Sequence, residues 1–201
     1  RDTLKKRGSI MPAKDIPRVF ANVEQLLGVN GELLARLDIL LEDGLDKTPV
    51  GELLAQVGAI FEEMSAHFRV YGEYCVNHPR AAALLEQLAK HPPYVAFEDV
   101  TRKSCGQLRL DSFIVKPVQR ICKYPLFFRE LLAHTRADEA CHASLERAAA
   151  AVERANQLVN DHKRLAESAA VIARLQPKLK GFKGRLAAPN RLYVRDGYLG
   201  K

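Results

Sequence analysis

Between residues 113 and 135 the chain reads FIVKPVQRICKYPLFFRELLAHT, and here the side chains able to engage a partner gather most densely. At about 100° per residue on a helical wheel, Ile114, Val118, Ile121, Pro125, Phe128 and Leu132 fall on one side. Lys116, Gln119, Arg120, Lys123 and Glu130 fall on the other, with Phe127 in the middle of that polar stripe. Such a stripe is equipped for recognition rather than bond-making. Ammonium, guanidinium and amide donors around an exposed ring make an apolar anchor with a polar rim. A second reading stays open, in which Phe127 packs under a neighbouring loop or helix. Lys116 and Arg120 likewise have an alternative, in intrahelical pairs or in snorkelling along the bundle. The stretch also carries Pro117 and Pro125. A proline inside a helix costs about 3 kcal/mol, but it also bends the helix, which would curve an exposed face around a partner.

Other chemistries find little support. Cys75, Cys105, Cys122 and Cys141 lie far apart with no Cys-x-x-Cys pair, and the six histidines are scattered without metal-ligand spacing. No nucleophile or metal motif is present, so no cofactor and no covalent catalysis are expected. The cysteine usage fits a reducing compartment, hence a cytoplasmic placement. The net charge of +7 favours acidic partners, yet bases alternate with acids along most helical stretches. The one dense basic cluster is KLKGFKGR at 178–185. Nucleic acid is therefore not an expected partner, while a basic lipid-binding helical module stands as an alternative. No apolar run reaches the roughly 18 residues that span a bilayer, and RDTLKKRGSI has no apolar block of a signal segment. A chain opening on Arg1 is expected to be a piece of a longer protein.

The elements that must position the stripe are helical. Residues 1–8 read as the tail of a helix ending at Gly8. Ile16, Phe20, Val23, Leu27, Leu34, Leu37 and Leu41 follow helical spacing from an Asp15 cap to Gly44. Thr48-Pro49 starts a helix expected to run to about Asn77. A short helix over 80–90 should stop at Pro92-Pro93, and another piece should close at Gly106. The stripe itself is expected as one helix from an Asp111 cap to about 135, followed by a long helix from about 138 to 175. Long helices with short connections imply an all-α, elongated antiparallel bundle. RLYV before Asp196-Gly197 alternates like a strand, so the helical domain is expected to end near 178, with 179–201 a linker and a first strand.

FIVKPVQRICKYPLFFREL resembles the third conserved region of Dbl-homology domains, the modules by which exchange factors act on Rho-family GTPases. VFANVEQLLGVNGELLARL resembles the family's second helix, and VGAIFEEMSAHFRVYGEYCVNHPRA its second conserved region. NQLVNDHKR resembles the late part of its last long helix. RLYVRDGYLGK is similar to the opening strand of the pleckstrin-homology domain that usually follows. The family's first conserved helix, with a glutamate for switch I, is expected ahead of Arg1. The resemblance implies nucleotide exchange on a Rho-family small GTPase, with recruitment to membrane or cytoskeleton and phosphoinositide contact through the pleckstrin-homology domain. It implies switch II contacts for Gln119, Lys123 and Asn160; the residues alone do not choose Asn160 over Asn156. Lys116, Arg120 and Arg164 would support or rim the contact, and Ile114 and Leu126 would tune which GTPase is accepted. An exchange-inactive scaffold of the same fold is the other reading.

Overall fold

The computed structural model describes residues 10–44, 47–181, 184–188, 191–195 and 197. The expected helix tail over 1–8, part of the basic cluster at 182–183, Asp196 and residues 198–201 lie outside them. Among the described residues the chain forms eight α-helices: α1 Ile16–Phe20, α2 Val23–Gly44, α3 Val50–Met64, α4 Tyr71–Leu88, α5 Pro92–Ser104, α6 Leu110–Ile114, α7 Lys116–Ala133 and α8 His142–Leu175. This is the all-α bundle the periodicity implies.

The spine is α8, which at about 1.5 Å per residue runs on the order of 50 Å. Leu145, Ala148, Val152, Ala155 and Val159 recur at three- and four-residue spacing and form its buried stripe. Helices α3, α4 and α7 pack along it. An aromatic tier fills the space between them. The Phe61 ring meets Phe128 at 5.0 Å and Tyr124 at 5.2 Å, both edge-on, while Phe68 stacks on Tyr124 at 5.2 Å. A second cluster of Ile16, Val19, Ala81, Leu85, Tyr94 and Ile114 ties α1, α4, α5 and α6 together.

Several boundaries differ from the expected ones, each for a local reason. The first long helix breaks at Ala21, whose φ of 44° is left-handed, so α1 and α2 are separate. Pro49 rather than Thr48 stands at the start of α3, and no side chain caps it. A 3-10 turn over Ser65–Val70 interrupts the expected helix to Asn77. The chain then resumes as α4 and runs straight through Pro79 to Leu88. Pro92 opens α5 instead of only ending what precedes it, because the first turn has no use for the missing N–H. The expected strand does not form among the described residues 191–195. A strand needs a neighbour for its backbone groups, and the Tyr193 N–H instead donates to Ser168 Oγ at 2.6 Å.

Two substitutions report on this packing. Phe128 is 2% exposed inside the aromatic tier, so Phe128→Ala should destabilise the domain by roughly 3–5 kcal/mol in denaturant unfolding. A Cβ at Gly58 would stand 2.7 Å from Ser144 Oγ and 3.0 Å from the Ser144 backbone, whereas at Gly72 it would meet the His162 side chain at 2.5 Å. Backbone cannot swing aside and an exposed imidazole can. Gly58→Ala is therefore expected to cost about 1–2 kcal/mol and Gly72→Ala distinctly less, read from the same unfolding curves.

Candidate partner-binding ridge and groove

The two prolines of the stripe have different solutions. A short helix, α6, ends at Ile114, and α7 begins at Lys116, so Pro117 falls in a first turn. The Ile114 carbonyl at the break accepts the Tyr74 hydroxyl at 2.8 Å. Burial pushes that hydroxyl up to about 12, so it stays a donor. Asp111 sits inside α6 rather than capping one long helix, its Oδ1 accepting the Ser112 N–H at 2.6 Å. Pro125 does lie inside α7, on the buried side with Ile121, Tyr124 and Phe128. It leaves the Ile121 carbonyl without its i+4 donor, and its own ring fills core space.

That buried face turns the polar stripe outward. Lys116, Gln119, Arg120, Lys123, Leu126 and Phe127 are all exposed, and Phe127 retains 54% of its surface. Lys123 has no ion pair or hydrogen bond among the described residues. Ile114 is a correction to the sequence reading. At 4% exposed it belongs to the second core cluster, on α6 before the break, and its side chain is out of reach of a partner.

Beside the ridge, α2 and α7 stand apart and leave a groove of about 490 Å³. Leu33, Leu34, Leu37 and Phe61 give it an apolar floor, and Lys116 and Lys123 stand among the cations lining it. Near the Arg120 end lies Asn30. Its Oδ1 accepts the Tyr71 hydroxyl at 2.9 Å and, at 3.4 Å each, the Tyr124 hydroxyl and Arg120 Nη1. Burial pushes both tyrosine hydroxyls up from their ordinary range, which keeps them protonated donors.

On α8, Asn160 is exposed, whereas Asn156 one turn earlier is partly buried with a sealed, unpartnered Oδ1. Arg164 is exposed and pairs with Asp161 at 3.5 Å. Burial chiefly pushes the Cys75 thiol up to about 11, with Cys122 raising it further and Lys163 opposing. Cys122 of α7 and Lys163 of α8 thus both act on one buried thiol of α4. Among the described residues no group of His, Cys, Asp and Glu stands ready to hold a metal ion.

Sequence reasoning missed Asn30, Tyr124 and the groove-facing role of Leu34 and Leu37. Asn30 had a signal: it falls four residues after Leu26 and three before Leu33, a polar residue in the apolar phase of α2. The groove had none, because an apolar residue at helical spacing reads as core whether or not anything covers it.

Comparison with known proteins agrees with this fold. The chain is 31% identical over 182 residues to Rho guanine nucleotide exchange factor 4 of Homo sapiens, covering 90% of this chain and 26% of that protein. It is 34% identical over 192 residues to the Myosin-M heavy chain of Dictyostelium discoideum, covering 94% and 11%. It therefore spans about a quarter or less of the length of these relatives. Among solved structures, the apo form of an activated truncation of Vav1 superposes with a TM-score of 0.76 at 26% identity, over 91% of this chain and 46% of that one. The DH/PH fragment of PDZRHOGEF in complex with human RhoA shares the fold at a TM-score of 0.66 and 21% identity, over 87% and 50%. The RhoGEF domain model matches residues 1–160, and the chain belongs to the RhoGEF domain family.

Proposed function

We propose that this domain is a guanine-nucleotide exchange factor for a Rho-family small GTPase, acting by binding alone and without covalent chemistry. Family membership supports the activity. The partner class follows from relatives named as Rho and Rac exchange factors and from fold neighbours bound to RhoA. The observation that carries the reading is the exposed, unpaired Lys123 on a helix whose other face is locked into the core.

Exchange requires differential binding. A surface that held the GDP-loaded and the emptied GTPase equally well would shift nothing, however tightly it bound. Gln119, Lys123 and Asn160 are assigned to switch II, reshaping it so that the Mg²⁺ and phosphate sites are lost. Leu126, Phe127 and Arg164 border that contact, and Lys116 and Arg120 support it from the groove side. The family's first conserved helix would have an apolar face to meet along α2. There Leu27, Leu34 and Leu41 lie seven residues apart and exposed, a heptad seam without a cover among the described residues. Phosphoinositide contact belongs to the pleckstrin-homology domain that the tail is similar to, and is proposed with that domain.

Fluorescent-GDP release from a panel of Rho-family GTPases, with thermal melting of each variant, tests this. Lys123→Ala and Asn160→Ala are expected to slow exchange at least about ten-fold while the melting temperature moves little, since both side chains are exposed. A large stability loss with unchanged specific exchange would overturn the assignments.

A further inference from the structure

Both hydrogen bonds that join α2 to α7 among the described residues end on one atom, Asn30 Oδ1. The same oxygen takes the Tyr71 hydroxyl of α4, and Asn30 Nδ2 donates to the Leu26 carbonyl at 2.7 Å, which fixes the amide to its own helix. The amide orientation follows from chemistry. A guanidinium has donors only, so the oxygen must face Arg120. Apart from this node the two helices flank an open groove of about 490 Å³. Arg120 and Tyr124 adjoin, in sequence, the ridge residues Gln119 and Lys123.

We propose that Asn30 is a positioning residue for nucleotide exchange: by holding Arg120 and Tyr124 from across the groove, it sets the rotation of α7 that aims Gln119 and Lys123 at the GTPase. This rests on the exchange function proposed above. Rotating α7 by one hydrogen-bond length at the Arg120 side displaces the Lys123 ammonium by a comparable amount, and misplacements near 1 Å are worth about a hundred-fold in well-oriented systems. The aromatic tier holds the inner face of α7, and among the described residues the amide adds the hydrogen bonds that reach α7 from α2. A carboxylate would accept from the same three donors, since Arg120 and both hydroxyls all donate, but it would lose the bond from Nδ2 to the Leu26 carbonyl.

The test compares wild type, Asn30→Leu and Asn30→Asp at rising concentrations of the domain against a fixed GTPase loaded with fluorescent GDP. Melting and amide hydrogen exchange of residues 118–126 are followed in parallel. Asn30→Leu is expected to lower the maximal release rate at least about ten-fold, with half-saturation changed under about two-fold, and to speed amide exchange in α7. Asn30→Asp should recover part of the rate and of the protection, because it keeps the acceptor and loses the Leu26 bond. Three results would overturn the proposal: Asn30→Leu releasing GDP at the wild-type maximal rate, a rate loss that merely tracks melting temperature in both variants, or α7 protection unchanged in Asn30→Leu. A wild-type domain that accelerates no GTPase of the panel would instead bring down the exchange function, and the positioning role with it.

Discussion

The arrangement turns on the edge-on packing of Phe61 against Tyr124 and Phe128. Those two aromatics lie four residues apart on α7, one turn of one face, and Phe68 stacks against the first of them. An α7 rotated by a single residue, about 100°, would exchange Tyr124 and Phe128 for Lys123 and Phe127 at the same contacts. Burying an unpaired ammonium there would cost several kcal/mol, and the tier would lose the Tyr124 ring. The core thus selects one broad rotational setting of α7, and the outward direction of Gln119 and Lys123 is a consequence of where the aromatics must go. The exposed ridge is positioned by buried residues.

The prolines refine that setting. With Pro117 in the first turn, the helix has to restart after Val115, and Tyr74 takes the carbonyl that the break releases. The restart allows α6 to turn Ile114 into a different cluster from the one that holds Ile121. Pro125 sits where its ring is useful as apolar volume, and its missing donor affects the buried Ile121 carbonyl rather than the exposed ridge. Two residues that look like defects in a one-dimensional helix are thereby a start signal and a core side chain.

The helical bundle and the polarity of α7 were legible in the sequence because both follow from periodicity, which a single chain carries in full. Ile121, Pro125 and Phe128 are buried and Lys116, Gln119, Lys123 and Phe127 exposed, as the wheel arranges them. What was hidden depends on other segments. Ala21 gave no sign of a positive φ, since alanine favours helix. The sequence set a helix end near Asn77 where α4 in fact runs on through Pro79, because a proline's tolerance depends on surrounding packing, and RLYV read as a strand because alternation says nothing about whether a pairing partner exists. Ile114 followed the wheel for its burial, and its proposed role at the partner face fell once the break placed it on α6. Leu34 illustrates the limit most clearly. Its spacing marks it as core, yet it is 58% exposed beside the groove: a pattern identifies a face that needs covering and is silent on what covers it.

A surface that discriminates two states of a partner has to be stiffer than the partner is. If α7 adjusted freely, it would conform to the loaded GTPase as readily as to the emptied one, and the difference in affinity that drives release would shrink. The ordering cost of the ridge is met during folding, by the aromatic tier on one side of α7 and by the hydrogen bonds to Asn30 on the other, rather than at the moment of binding. The exposed residues then contribute what remains: an ammonium with no ion pair among the described residues, an amide beside it, and an exposed asparagine on α8. An unpaired cation on a flexible loop would gain its contacts by reorganising and would serve either state. On a helix held from both sides it favours a single geometry, so under the proposed exchange function the buried half of α7 and the groove beside it belong to the activity as much as the ridge does.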